Sequence, residues 1–336
     1  MASTHTTRGG SRRLRSAGVA TFLAGIALVV LEAPSAALAD PPPGGTLVST
    51  LHVATPRDVH AAYGSIWVSN GPSRTVTRLD PATNAVQAVV AVPDPASVLT
   101  DGAGSIWLTS LPGDSLTRID PTTNTTTGTI SLAPGGDAPV AVTYFAGSVW
   151  VANHDGTPTG SVAKIDPATM AVLDVIPVGP LPFAGPNWIA GAAGSIWVDV
   201  PNLAAVVRID PATDAILATI PDKGACGALA ANSTGVWVAG GGGPGCLPGI
   251  TRIDPTTNTV TTRLNAGGQT NPVALAEGTL WYGTEQSAFL GRVDTASATI
   301  VGQLKLPGQT FGLAVGYGYV WITDRVDGLL FKVLPS

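Results

Sequence analysis

Cysteine, methionine and histidine are close to absent, with two, two and four copies in 336 residues. Two thiols, Cys226 and Cys246, leave no third or fourth ligand for a cysteine zinc site. Basic residues are few: 17 Lys and Arg stand against 22 Asp and Glu, for a net charge of −5. Without a basic run in the body of the chain, nucleic acid and anionic membrane surfaces are excluded as partners. Beyond the first forty residues no apolar stretch nears the roughly 20 residues needed to span a bilayer. Lys, Glu and Met are scarce while Gly, Pro, Thr and Val are plentiful, and helical periodicity is missing. That balance favours strands and turns.

What is present begins with a leader. Arg8, Arg12, Arg13 and Arg15 precede an apolar run from Ala17 to Leu31, and Ala37-Leu38-Ala39 fits a small-x-small cleavage site. Residues 1–39 therefore read as a secretory signal peptide, and 40–45 as a Pro/Gly-rich linker. Ser11-Arg12-Arg13 leaves the twin-arginine route open beside the general secretory one. Cleavage removes four arginines and one glutamate, leaving 13 basic and 21 acidic residues and a net charge of −8. The expected product is secreted or extracytoplasmic, monomeric, and without a membrane span.

The body of the chain repeats itself. G-S-I-W-V-S-N at 64–70 returns as G-S-I-W-L at 104–108, G-S-V-W-V at 147–151 and G-S-I-W-V at 194–198. Looser copies surround Trp237, Trp281 and Trp321, and the seven tryptophans lie 40, 43, 47, 40, 44 and 40 residues apart. Out of phase runs R-x-D-P-x-T-N, as T-R-L-D-P-A-T-N at 77–84 and T-R-I-D-P-T-T-N at 117–124 and 251–258. A period near 42 with strand-like content predicts an all-β, seven-bladed β-propeller, one four-stranded blade per repeat. Strand B carries the tryptophan, D-P-x-T is an Asx-type turn between strands C and D, and strand D is the β-branched run after it. The last repeat stops after its third strand, at Lys332-Val333-Leu334. T-L-V-S-T-L-H-V at 46–53 supplies the missing D strand, so a single domain over 46–336 closes as a ring and hides its sheet edges.

W-V-S-N at 67–70 and W-V-A-N at 150–153, each followed by a D-P-A-T turn, resemble the YVTN/YncE-type propeller repeats of bacteria. They are also similar to the repeats of the virginiamycin B lyase (streptogramin lyase) family. That resemblance implies a propeller fold. For the lyases it implies histidine and glutamate groups acting with magnesium to open a cyclic antibiotic ester. The four histidines stand at 5, 52, 60 and 154, none in the last four blades, where the resemblance places the catalytic ones. Glu285, in W-Y-G-T-E, looks like a lyase-family strand end but alone supplies no acid and base pair.

The repeats also differ from one another in length. Tryptophan to turn aspartate takes 13 residues in four repeats, but 16 in the third and 17 in the fifth. The insertions fall at 133–139, 153–160, 179–188 and 240–249, in D-to-A connections and B-to-C loops. In an up-and-down blade these two loop classes share one face, which gathers the insertions over blades three to five. Loops on a rigid scaffold carry function, so the candidate ligand-binding residues are Asp137, His154, Asp155, Asn187, Trp188 and Asp199. Trp188, outside the repeat, is either a stacking platform or a lid packed on the ring. Arg57 and His60 flank the first A strand and could reach the same face. Cys226 and Cys246 both emerge there and are expected to form a disulfide. The expectation is a binding propeller for a small molecule, glycan or envelope protein, without cofactor. The alternative is a magnesium-assisted lyase or hydrolase of the streptogramin type.

Overall fold

A computed structural model describes residues 44–132, 138–154, 160–179, 185–241 and 245–336. The expected signal peptide and nearly all of the linker lie outside these residues, as do the central parts of all four insertions. The described strands form seven four-stranded antiparallel sheets, six of them simple meanders. Blade 1 runs as strands A to D: Pro56–Ala62, Ser65–Asn70, Thr75–Leu79 and Val86–Ala91. Blade 7 takes Leu313–Gly316, Tyr319–Asp324 and Leu329–Leu334 from the C-terminus and its D strand, Thr46–His52, from the other end. The all-β seven-bladed ring and its closure by the N-terminal strand are thus as the repeat count predicts.

Apolar side chains fill the seams between blades. Trp67, Val76 and Val90 of blade 1 pack with Leu99, Ile106 and Leu108 of blade 2, and six further clusters fill the remaining seams. All seven motif tryptophans are buried. In five blades the indole N–H donates to the last carbonyl of strand A in its own blade: Trp67 to Ala62, Trp107 to Gly102, Trp150 to Phe145, Trp197 to Ala192 and Trp321 to Gly316, at 3.0–3.3 Å. The repeated tryptophan is scaffold. It pins the A–B turn and fills the seam.

The recurrence of R-x-D-P-x-T-N along the chain has a mechanical cause. Arg78 faces Trp67 across strands B and C and lies 4.9 Å from its ring centroid. It then reaches forward into the next blade, donating to Pro121 O and, at 2.8 Å, to Asn124 Oδ1 of the D-P-x-T-N turn. Arg208 does the same to Pro255 O (2.6 Å) and Asn258 Oδ1 (2.8 Å). Arg118 and Lys164 also reach the following turn. Lys332, standing where other repeats have arginine, closes the circle on Pro81 O (2.6 Å) and Asn84 Oδ1 (3.2 Å) of blade 1. The turn asparagine also suits its own backbone. Asn84, Asn124 and Asn258 sit at φ 57–63°, a left-handed conformation that asparagine tolerates well. Each turn aspartate accepts backbone N–H bonds, as Asp80 Oδ1 does from Ala82 (2.9 Å) and Thr83 (2.8 Å). These bonds hold the carboxyls of Asp80, Asp120, Asp166, Asp254 and Asp294 below their usual range.

Cys226 and Cys246 form the expected disulfide, with Cα atoms 6.2 Å apart and a sequence separation of 20. It ties the connection entering blade 5 to that blade's B–C loop. No helix among the described residues is long and apolar enough to cross a membrane.

Candidate functional site

A cavity of about 210 Å³ opens at the ring axis, on the face carrying the D–A and B–C loops. Its wall has a simple origin in the sequence. The tenth residue before each motif tryptophan lies at the start of strand A, the innermost strand. In six blades that residue lines the mouth: Arg57, Ser97, Val140, Asn187, Asn271 and Phe311. Trp188, Asp58 and Val98 are shared between this cavity and a second one further along the bore, so together they form the constriction between the two.

Trp188 is the first residue of strand A in blade 4 (Trp188–Ala192), and not part of a loop as the insertion count suggests. It is half-buried and packs on the seams of blades 3/4, 4/5 and 5/6. From that position its indole crosses the bore and floors the mouth. An aromatic face in an axial cavity is a surface for an apolar ligand group.

A second ring surrounds the first, formed by the fourth residue after each tryptophan. It includes Leu111, His154, Glu285 and Arg325. In blade 6 the two rings touch through Asn271 Nδ2, which donates to Glu285 Oε1 at 2.6 Å. In blade 7 they touch through Arg325, whose guanidinium carbon lies 4.2 Å from the Phe311 ring centroid, and Arg57 approaches the same ring at 6.0 Å. Burial, and next the positive charge of Arg325, hold the Arg57 guanidinium below its usual pKa.

Asp58, beside Arg57, is only 9% exposed. Its Oδ2 accepts the Leu99 N–H at 2.9 Å and so bridges blades 1 and 2. Burial dominates its titration and pushes the carboxyl up to about 6, against the opposing pull of the Leu99 bond and of His60 and Arg57. A carboxyl set there changes charge close to neutral pH.

The remaining sequence candidates fall in different places. Asn187 lines the mouth, and its N–H donates to Asp199 O at 2.9 Å. His154 lies at the flank of its insertion, its Nδ1 buried and without a partner among the described residues. A Cβ on Gly185 would come within 3.1 Å of its ring, so the insertions of blades 3 and 4 meet here. Asp137 and Asp155 lie outside the described residues. Asp199 is fully buried and does not line the mouth. It stands two residues after Trp197, where Ser69 and Thr323 use hydroxyls to bridge to the next blade. Burial, then the charge of Asp222, pushes its carboxyl well above the usual range. His60 lines the second cavity and pairs with Asp101 Oδ1 at 2.7 Å.

Magnesium is implied only by the lyase resemblance, and the residues do not suit it. Among the described residues no three His, Cys, Asp or Glu side chains gather. Glu285 is engaged by Asn271, and Arg57 places positive charge in the mouth, with Arg325 at its rim. A hard divalent cation needs several oxygen donors together.

Loop insertions alone do not point to Asp58, Asn271, Phe311 and Arg325. The repeat does: counting ten back and four forward from each tryptophan finds the last three directly, and Asp58 is the next residue in the strand.

No family model matches the chain, and no curated protein does. Among solved structures the chain is similar to a streptogramin B lyase, with TM-score 0.71, 16% identity, and 87% of this chain and 97% of that one covered. It is similar to virginiamycin B lyase from Staphylococcus aureus at TM-score 0.71 and 15% identity, covering 86% and 99%. Hydrazine synthase of Kuenenia stuttgartiensis also gives TM-score 0.71, at 14% identity and 84% and 96% coverage. One ring thus serves unlike chemistries, and at these identities the likeness establishes the seven-bladed fold alone.

Proposed function

We propose that the protein is an extracytoplasmic binding propeller that takes a small molecule, or one side group of a larger partner, into the axial mouth. The observation that carries this reading is the cavity itself, floored by the one tryptophan outside the repeat and walled by residues the repeat leaves free to vary. Its volume of about 210 Å³ lies below the roughly 300–1000 Å³ of pockets that enclose drug-sized ligands. A compact group fits inside while the rest of a glycan, peptide or envelope protein lies across the loops of blades 3 to 5. The leader-like residues 1–39 and the Cys226–Cys246 disulfide support an oxidising compartment.

The test is a thermal-shift screen of the wild type and Trp188→Ala against metal ions, sugars and cyclic peptides. A ligand that raises Tm in the wild type and not in Trp188→Ala supports the axial site. A ligand that stabilises both equally puts binding elsewhere and overturns it. The lyase alternative draws support from the shared ring and from Glu285 at the mouth's edge. It requires ring opening of a streptogramin B-type cyclic depsipeptide with added magnesium, and intact substrate after prolonged incubation refutes it.

A further inference from the structure

We propose that the mouth is a receptor for a single carboxylate carried on an apolar body, with Arg57 and Arg325 as the recognising groups. This deepens the binding reading above and rests on it. Arg57 lines the mouth, while Arg325 stands at its rim, over the Phe311 ring that Arg57 also approaches and against a separate surface pocket. Neither donates a side-chain hydrogen bond or forms an ion pair among the described residues. That sets them apart from Arg78, Arg118 and Arg208, which bind carbonyls of the next blade. The two arginines repel each other, Asp58 offsets the charge of Arg57 only in part, and an anion bound at the rim relieves the repulsion that remains. Neither nearby carboxylate forms an ion pair with them: Asp58 accepts from Leu99 N–H, and Glu285 accepts from Asn271.

The setting of Arg57 is built. A Cβ on Gly71 would fall 2.7 Å from Arg57 Cδ, so this residue must lack a side chain for the arginine to lie where it does. A guanidinium stacked on an aromatic ring keeps its in-plane N–H groups free, and their fork matches a planar carboxylate. Across the mouth, Val98, Leu111, Val140 and Trp188 offer an apolar surface for the rest of the ligand. Asp58 in the same wall disfavours a dianion, which selects a carboxylate over a phosphate.

The test follows Trp188 by its indole N–H signal in a two-dimensional NMR titration with phenylacetate, phenylacetamide and inorganic phosphate. The expected result is a saturable Trp188 shift with phenylacetate and at least tenfold weaker binding of the isosteric amide and of phosphate. Arg325→Gln, an exposed change that leaves the core untouched, and Arg57→Gln are each expected to weaken phenylacetate at least tenfold. Equal binding of acid and amide, or unchanged affinity in both variants, overturns the carboxylate assignment while leaving the axial site in place. Tighter binding of phosphate than of phenylacetate also overturns it. No Trp188 shift with any probe defeats the axial site together with the carboxylate.

Discussion

Replacing Asp58 by asparagine isolates the energetic cost of a carboxylate in the channel wall. Asparagine keeps the shape and an oxygen to accept the Leu99 N–H, and removes only the ionisation. The carboxyl titrates at about 6 in the folded protein and near 3.9 in an unfolded chain. Between those values the folded state holds a proton that the unfolded state has released, so stability falls as pH rises through this window and is level above it. At about 1.4 kcal/mol per unit, a shift of roughly two units makes ionised Asp58 cost about 3 kcal/mol at pH 8. Water in the adjoining cavities lowers that figure. Asp58→Asn is therefore expected to match the wild type near pH 3.5 and to exceed it by up to about 3 kcal/mol at pH 8. Urea denaturation of both proteins across this range measures the difference. Subtracting one protein from the other cancels Asp199, whose raised carboxyl tilts stability in the same direction. A wild-type-minus-variant difference that stays flat from pH 4 to 7 would falsify the reasoning.

Two other perturbations probe the ring's fastenings. Lys332→Met keeps a chain over Trp321 but deprives Pro81 O and Asn84 Oδ1 of their donor. The expected loss is about 1–3 kcal/mol in chemical denaturation, and an unchanged midpoint would show that closure does not depend on this tie. Replacing Cys226 and Cys246 together by serine frees a 20-residue loop and is expected to cost about 3 kcal/mol in the chain-entropy treatment. The same loss should appear when the wild type is unfolded under reducing conditions, and a reductant-insensitive wild type counts against it.

The fold is legible in the sequence because one tryptophan marks every blade and a lysine stands in register at the last one. Spacing alone yields seven blades, the borrowed D strand and the side of the ring where both cysteines emerge. The mouth is harder to read. Insertion lengths draw attention to loops over blades 3 to 5, whereas the cavity is walled by the opening residues of the A strands from almost every blade. Those positions carry Arg, Ser, Val, Asn, Gly, Asn and Phe. No motif appears in such a set, because only ring closure brings them together. Asp199 shows the opposite failure. A carboxylate near an insertion suggests a ligand contact, but strand B turns that side chain into the seam, where its neighbours in other blades use hydroxyls.

The forward-reaching cations amount to a chain of clasps, and the chain has a gap. Five seams carry one: Arg78, Arg118, Lys164, Arg208 and Lys332 each hold the next blade's turn. Arg292 crosses its seam to Ser336 O at the end of blade 7, whereas Arg252 donates within its own blade, to Thr234 O. Among the described residues the seam between blades 5 and 6 is thus the one that no such cation crosses. If the ring breathes, local opening starts there, beside Asn271 and Glu285 at the mouth. Amide exchange fastest along the seam of blades 5 and 6 would mark it as the hinge through which a partner too large for the resting cavity gains entry.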